Sequence, residues 1–270
     1  MVYGLAIETG EGLVSETHFN GIQVARSHPG QMTVSSLAIH HDVTPGDNVA
    51  EAWVTVDGFR TGVAPTLTTV PSLPQAEARL MLEGDEARTE GEKLVVTTHK
   101  FAFDEWSATD AISPLLLPHR LRVGFRPTQP VEAPPWLAGE RVSPAEIGPR
   151  VHAEMQRIAE LIRTQDLATF TEVVAMARNH YARSYPNGPS AAELRETQIN
   201  DLRALAARPG FAVEVRPMPR GRLRVQADGR LFDWVDGDDA SLLVVTAKGM
   251  EPADLGLQFS VVQGRLRVTR

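Results

Sequence analysis

Acidic side chains are concentrated in one short stretch of the first half of the chain. The stretch holds five carboxylates: Glu83, Asp85, Glu86, Glu90 and Glu92. Gly84-Asp85 and Glu90-Gly91 are turn-forming pairs, so we expect an exposed acidic loop between two strands. Such a loop is either simply solvated or binds a basic partner through charge complementarity.

Arginines alternate with aliphatic residues in two segments of the second half, Arg222–Val225 and Arg265–Val268. Successive side chains of a strand point to opposite faces, so each segment predicts arginines on one sheet face and aliphatics on the other. With Arg220, the residues Arg222 and Arg224 form a candidate surface for a carboxylate- or phosphate-bearing partner. Pairing with nearby Asp and Glu is the alternative.

Two segments have the residue types of a metal site but not its spacing. His40-His41-Asp42 falls in a predicted strand, where the two histidines face opposite sides and cannot chelate one ion. The acidic run from Asp233 to Asp239 lacks the alternating carboxylates and distant Glu of an EF-hand, and we interpret it as a hairpin turn. We therefore expect neither a metal site nor a cofactor.

The common signatures of catalysis are missing from the sequence. It contains no G-x-S-x-G, no phosphate loop, no H-E-x-x-H and no dinucleotide-binding glycine fingerprint. It has no cysteine, which excludes disulfides, thiolate metal ligands and a cysteine nucleophile. These absences remove the common enzyme classes and leave unusual ones open.

The formal charge of −7 lies entirely in the first half of the chain. Residues 1–130 hold 9 Lys and Arg against 16 Asp and Glu, whereas residues 131–270 hold 18 of each kind. An acidic chain is a poor non-specific binder of nucleic acid, because phosphate attraction needs a positive surface. An acidic domain does attract a basic protein partner.

The first half alternates with the two-residue period of strands, interrupted by turn pairs such as Asp57-Gly58. The predicted strands are Val2–Glu8, Gly12–Thr17, Thr33–Val43, Asn48–Val56, Ala76–Leu82, Lys93–Phe103 and Arg120–Arg126. Many short strands without a helical pattern predict an all-β sandwich over residues 1–126. A proline-rich linker follows at 127–142, and Trp136 within it is expected to pack against one domain.

The second half changes to a helical period near Ser143. Ser143–Glu146, Asp166 and Ser190–Glu193 are start signals for three helices. Six strand-like segments separated by tight turns follow from Phe211 onward. We predict an α+β domain over residues 143–270, with three helices packed on a curved antiparallel sheet.

The run Glu160–Phe170, in which a helix end is followed by the capping residue Asp166 and a new helix, resembles the NTF2-like (SnoaL-like) superfamily over about residues 143–270. The Pro45-Gly46-Asp47 turn of the first half resembles immunoglobulin-like and C2-like sandwiches. The NTF2-like resemblance implies a cone with a pocket between helices and sheet. The implied pocket residues are His152, Tyr181, Tyr185, Phe232 and Trp234.

The sequence favours a non-catalytic protein-binding role in a bacterium, as an immunity protein or an adaptor that neutralises or escorts a toxin or secreted effector. One alternative is a small-molecule, isomerase or hydrolase pocket of the NTF2-like type. A second is a structural component of a phage or secretion apparatus. No leader or membrane-spanning run is evident, so we expect a cytoplasmic protein that binds another protein, with homodimerisation left open.

Overall fold

A computed structural model describes residues 1–27, 33–56, 59, 67–70, 76–90, 93–108, 114–185, 187–217, 221–237 and 239–270. The chain divides into two compact units, Met1–Glu132 and Ala133–Arg270. The division falls inside the predicted linker. The first unit contains strands and the second contains helices and strands.

The first unit is built from antiparallel strands. Its strands are β1 (Val2–Thr9), β2 (Val14–Phe19), β3 (Ile22–Arg26), β4 (Thr33–Ala38), β5 (Asn48–Thr55), β6 (Thr68–Val70), β7 (Ala76–Glu90), β8 (Lys93–Ala108), β9 (Leu115–Leu117) and β10 (His119–Phe125). One sheet has the order β4-β1-β7-β8 and a second has the order β10-β5-β2-β3; β6 and β9 form a small pair. We call the first of these the long sheet.

Alternation along β1 and β7 decides which face of the long sheet is buried. Leu5 and Ile7 of β1 and Leu80 and Leu82 of β7 have no accessible surface and belong to one hydrophobic core with residues of the second sheet. Their sequence neighbours therefore lie on the outer face of the sheet.

The strand β7 continues through the predicted acidic loop, so the loop prediction is wrong for Glu83, Asp85 and Glu86. A bulge on β8, between the partners of Leu82 and Glu83, turns the ring of Phe101 over Gly84. A Cβ atom at position 84 would lie 2.3 Å from the Phe101 ring, so a glycine fits here as a strand residue under an aromatic ring. The backbone of Glu90 lies on β7, whereas its side chain and Glu92 lie outside the described residues.

The His40–Asp42 segment is a turn of 3-10 helix and not the end of a strand, since β4 ends at Ala38. The ring of His40 stacks on Tyr3 at 5.5 Å, and Asp42 is buried. This local packing replaces the strand geometry that the sequence predicts.

The second unit combines four helices with two antiparallel sheets. Its elements are α1 (Pro144–Arg163), α2 (Leu167–Val173), α3 (Ala175–Ser184), α4 (Ala191–Ala206), β11 (Ala212–Val215), β12 (Arg222–Gln226), β13 (Leu231–Val235), β14 (Leu243–Thr246), β15 (Ala253–Asp254), β16 (Phe259–Val262) and β17 (Arg265–Val268). The strand orders are β11-β14-β15 and β12-β13-β16-β17, so two sheets stand where the sequence predicts one.

The helix starts largely follow the capping signals. Ser190 and Glu193 form a complete capping box on α4, and Asp166 accepts a bond from the Thr169 amide at the start of α2. The predicted second helix breaks at Val174. The buried side chain of Arg178 donates to the Thr171 carbonyl at 2.9 Å, and so satisfies a carbonyl at the break.

The core of the second unit contains an apolar stripe of α1 whose residues recur with the helical period. Five residues of that stripe have no accessible surface: Ile147, Val151, Met155, Ile158 and Ile162. Trp136 is also buried, with 3% of its surface exposed, which confirms that it packs against the protein. Among the described residues, no helix has the length and apolarity needed to cross a membrane.

Candidate functional site

A groove of about 480 Å³ lies at one end of the long sheet, where three neighbouring strands meet. We call it the acidic groove. Its lining residues come from the end of β1 and the turn after it, the start of β7 and the end of β8: Glu8, Thr9, Gly10, Glu77, Ala78, Arg79, Glu105, Trp106 and Ser107.

Strand register explains which side chains face the acidic groove. Arg79 of β7 pairs with Glu8 of β1 on one side and with Glu105 of β8 on the other. Directly paired residues point to the same face, so these three side chains form one row on the outer face. Thr9 and Ala78, the next residues along, are buried on the inner face and also line the groove.

The carboxylates of the acidic groove outnumber its cations. A guanidinium nitrogen of Arg79 lies 3.3 Å from Glu105 and another lies 3.9 Å from Glu8. Glu77 is exposed and has no ion-pair partner among the described residues. Two carboxylates therefore share one guanidinium and a third, Glu77, is unpaired within the described part of the chain, so the groove carries an uncompensated negative charge.

An apolar row lies directly beside the row of Arg79. It consists of Ala6, Met81 and Phe103, which pair across β1, β7 and β8. Met81 is buried, with the Lys100 ammonium 3.7 Å from its sulfur, whereas the Phe103 side chain is 62% exposed. A large aromatic side chain in this position is available for contact with a partner.

Two of the predicted acidic residues lie on the same outer face. Glu83 pairs with Gly4 and Lys100, and Asp85 pairs with Val2 and Thr98, whose hydroxyl donates to it at 2.7 Å. Glu86 lies at the next position of β7, within 3.7 Å of His99. We call the outer surface of β1, β7 and β8 from Glu77 to Asp85, with the acidic groove at one end, the acidic face.

A stacked aromatic pair lies on the inner side of the acidic groove. Trp106 stacks on His119 at 4.8 Å, with an angle of 13° between the rings. Burial lowers the pKa of His119, partly offset by the charge of Asp104. At neutral pH the imidazole is therefore uncharged and does not reduce the negative potential of the groove.

The predicted arginine surface of the second unit is largely occupied by internal ion pairs. Arg224 holds the buried Asp233 through two contacts, at 3.0 and 2.5 Å, and Gln258 donates to the same carboxylate. Arg222 binds Asp239 at 2.6 Å. Arg220 lies outside the described residues.

The other predicted arginine segment lies on β17, at the edge of its sheet. Arg265 and Arg267 are exposed, and neither has an ion-pair partner within the described part of the chain. Leu266 and Val268 face the core, so the predicted alternation is confirmed on this strand.

The residues of the predicted pocket lie in different environments of the second unit. Phe232 has no accessible surface, so it lines no space large enough for water. His152 lies edge-on to Trp234 at 6.2 Å, and Tyr181 packs on Tyr185 at 4.7 Å with 40% of Tyr181 exposed. Phe232 and His152 are therefore buried, Trp234 and Tyr185 are half-buried, and Tyr181 is exposed.

No group of three or more potential metal ligands occurs among the described residues. His41 lies 3.5 Å from Asp42, which is two ligands at most. The arrangement of side chains in this segment is that of a packed turn.

The sequence does not single out four side chains of the acidic face: Glu8, Glu77, Glu105 and Phe103. They come from three strands that are distant in sequence, and only the register brings them together. The period-two pattern of each strand shows which residues share a face, but not which strands are neighbours.

Protein-family models, characterised proteins and solved structures all give no match to this chain. The NTF2-like resemblance of the second unit therefore stays a prediction.

Proposed function

We propose that the protein is a non-catalytic binding protein whose acidic face binds a basic segment of another protein. The observation that carries the proposal is the acidic groove, in which three carboxylates face one guanidinium, that of Arg79, which pairs with only two of them, beside an exposed Phe103. A basic side chain entering the groove would complete the neutralisation that Arg79 begins.

Two features of the charge distribution support the proposal, one at short range on the acidic face and one at long range over the first half of the chain. On the acidic face, five carboxylates (Glu8, Glu77, Glu83, Asp85 and Glu105) stand against two cations, Arg79 and Lys100. Residues 1–130 also hold the whole net negative charge of the chain. Contacts on the face would select the partner, while the wider field would raise the rate of encounter at low salt.

Phe103 offers an apolar contact that would add to the affinity for a partner beyond the charge pairs. Exposed charge pairs contribute little affinity, about 0–1 kcal/mol each, because water and salt screen them. Burial of an exposed aromatic ring adds an apolar contribution and fixes the position of the partner. The combination favours a defined protein segment over a diffuse polycation.

This role fits an immunity protein or an adaptor that neutralises or escorts a toxin or secreted effector in a bacterial cytoplasm. The support is the combination of an acidic binding face with a sequence that lacks catalytic signatures.

The test is the affinity of the full chain for a short labelled peptide that contains two arginines and a leucine, measured by fluorescence anisotropy at about 50 mM and about 300 mM salt. The variant Glu77→Gln with Glu105→Gln should weaken binding about threefold to tenfold at low salt, since it removes two exposed carboxylates that would pair with the arginines of the peptide.

The matched control is Glu214→Gln with Glu251→Gln, which makes the same change of charge at exposed positions of the second unit. It should bind the peptide like the unmodified protein. Equal weakening by both variants would show attraction by net charge alone and would overturn the assignment of the acidic face.

A further inference from the structure

The side chains of the acidic face are arranged in rows that run across the strands β1, β7 and β8. Residues that pair directly across β1, β7 and β8 form each row, and alternate rows point outward. From the groove outward the rows are Glu8–Arg79–Glu105, Ala6–Met81–Phe103, Gly4–Glu83–Lys100 and Val2–Asp85–Thr98. An apolar row thus lies between two rows that contain carboxylates.

The spacing of these rows follows from strand geometry. Two residues along a strand span about 6.7 Å, so the carboxylates of the groove row and Glu83 lie about 13 Å apart along β7. Phe103 lies at the midpoint of this distance on the neighbouring strand.

The bulge on β8 produces this arrangement. Without the extra residue, strict alternation would place Phe101 outward beside Phe103, and Lys100 inward. With it, Phe101 packs 5.9 Å from the Tyr3 ring, and Lys100 reaches Met81 on the outer face. The acidic face therefore presents the exposed aromatic residue Phe103 between the row of Arg79 and the row of Glu83, both of which contain carboxylates.

We infer that the partner segment binds in an extended conformation along β7 and β8, with a basic residue, an apolar residue and a second basic residue at alternate positions. This inference rests on the proposed function and specifies the partner. In an extended chain, residues i, i+2 and i+4 share a face and span about 13 Å, which matches the three rows.

A helical segment does not match the same rows. Residues i and i+4 of a helix are separated by only about 6 Å along its axis, so both would meet a single row. An extended segment that crosses the strands at right angles would also contact one row, and would leave Phe103 or Glu83 unused. The row spacing therefore distinguishes both conformation and direction.

The test compares three peptides of equal charge by anisotropy with the full chain. The first has the order Arg-Ser-Leu-Ser-Arg, the second the permuted order Leu-Ser-Arg-Arg-Ser, and the third carries the first order inside a lactam-bridged helix. The first should bind about fivefold to tenfold more tightly than the others, because it alone aligns with all three rows.

Phe103→Ser should abolish the preference for the first order while it retains the salt-dependent binding of all three peptides. Leu116→Ser is the matched control, because Leu116 is an equally exposed apolar residue of the first unit, at 60%. It should leave the preference unchanged.

The outcomes separate the two proposals. Equal binding of the three peptides, still weakened by Glu77→Gln with Glu105→Gln, would overturn the extended register and leave the acidic face as a binding surface. Tighter binding of the helical peptide would also overturn the inference. Binding of none of them would overturn both.

Discussion

The carboxylates of the two units are used in opposite ways. In the acidic groove of the first unit, Glu8, Glu77 and Glu105 are partly or largely exposed, and one arginine pairs with only two of them, Glu8 and Glu105. In the second unit, Asp233, Asp236 and Asp239 each face an arginine of their own: Arg224, Arg216 and Arg222. Asp233 is buried, with 4% of its side chain exposed.

Burial explains why the two sets differ. A buried carboxylate must be paired and hydrogen-bonded, because the loss of water costs several kcal/mol per ion. A carboxylate at the surface keeps its water and needs no internal partner. Charge that is available for a partner therefore lies where it is exposed and undercompensated, as in the acidic groove.

The largest expected effect is on Asp233. Asp233→Ala leaves the half-buried Arg224 without its carboxylate, so the free energy of unfolding of the second unit should fall by about 3–5 kcal/mol. Urea unfolding followed by tryptophan fluorescence measures it, with Asp201→Asn on the exposed surface of α4 as control. A loss below about 1 kcal/mol would show that the ion pair of Asp233 contributes no more to stability than an exposed ion pair does.

A smaller effect is expected at Asp166, an exposed acidic residue whose side chain is used within the protein as a helix cap. Its side chain accepts from the Thr169 amide at the start of α2. Asp166→Ala should lower the free energy of unfolding by about 1 kcal/mol, and Asp166→Asn should restore most of it. Equal losses in both variants would mean that the negative charge matters more than the cap.

The expected effect at Arg79 concerns binding more than stability. Arg79→Gln removes the one cation among the described lining residues of the acidic groove and should strengthen binding of the arginine peptide about twofold to fourfold at low salt. The unfolding midpoint should change little, because the pairs of Arg79 are exposed. Weaker binding would mean that Arg79 holds the groove in shape.

The smallest effect is expected at His119, behind the acidic groove. Burial lowers its pKa, so protonation is harder in the folded than in the unfolded state. Stability linked to His119 is therefore complete above about pH 6.5 and is lost as the pH falls. His119→Phe, which keeps an aromatic ring against Trp106, should reduce the fall in unfolding midpoint between about pH 7.5 and about pH 5.5. An unchanged pH dependence would contradict this.

Local signals in the sequence predicted much of the fold. The Ser190–Glu193 box marks the start of α4, and the apolar stripe of α1 lies in the core. The break at Val174 was not predictable, because it involves the buried side chain of Arg178, which binds the Thr171 carbonyl. Local chemistry is visible in a sequence, whereas side-chain packing between elements is not.

The candidate site was predicted only in part. Glu83 and Asp85 were identified, but as part of a loop, because the pair Gly84-Asp85 is typical of turns. The structure instead explains Gly84 by the ring of Phe101, which leaves no room for a Cβ atom there. Glu8, Glu77, Glu105 and Phe103 were missed, since their proximity depends on the β1-β7-β8 register and on one bulge. Register is set by the whole sheet, and a single strand does not reveal it.

The most direct test of the account is an NMR titration of the full chain with the Arg-Ser-Leu-Ser-Arg peptide, in which side-chain carboxyl and aromatic shifts are followed. We predict that Glu8, Glu77, Glu105 and Phe103 respond first, while Asp233 does not. Shifts centred on Asp233, Asp236 and Asp239, or no shifts in either unit, would contradict the claim that the peptide binds at the undercompensated charge of the acidic face.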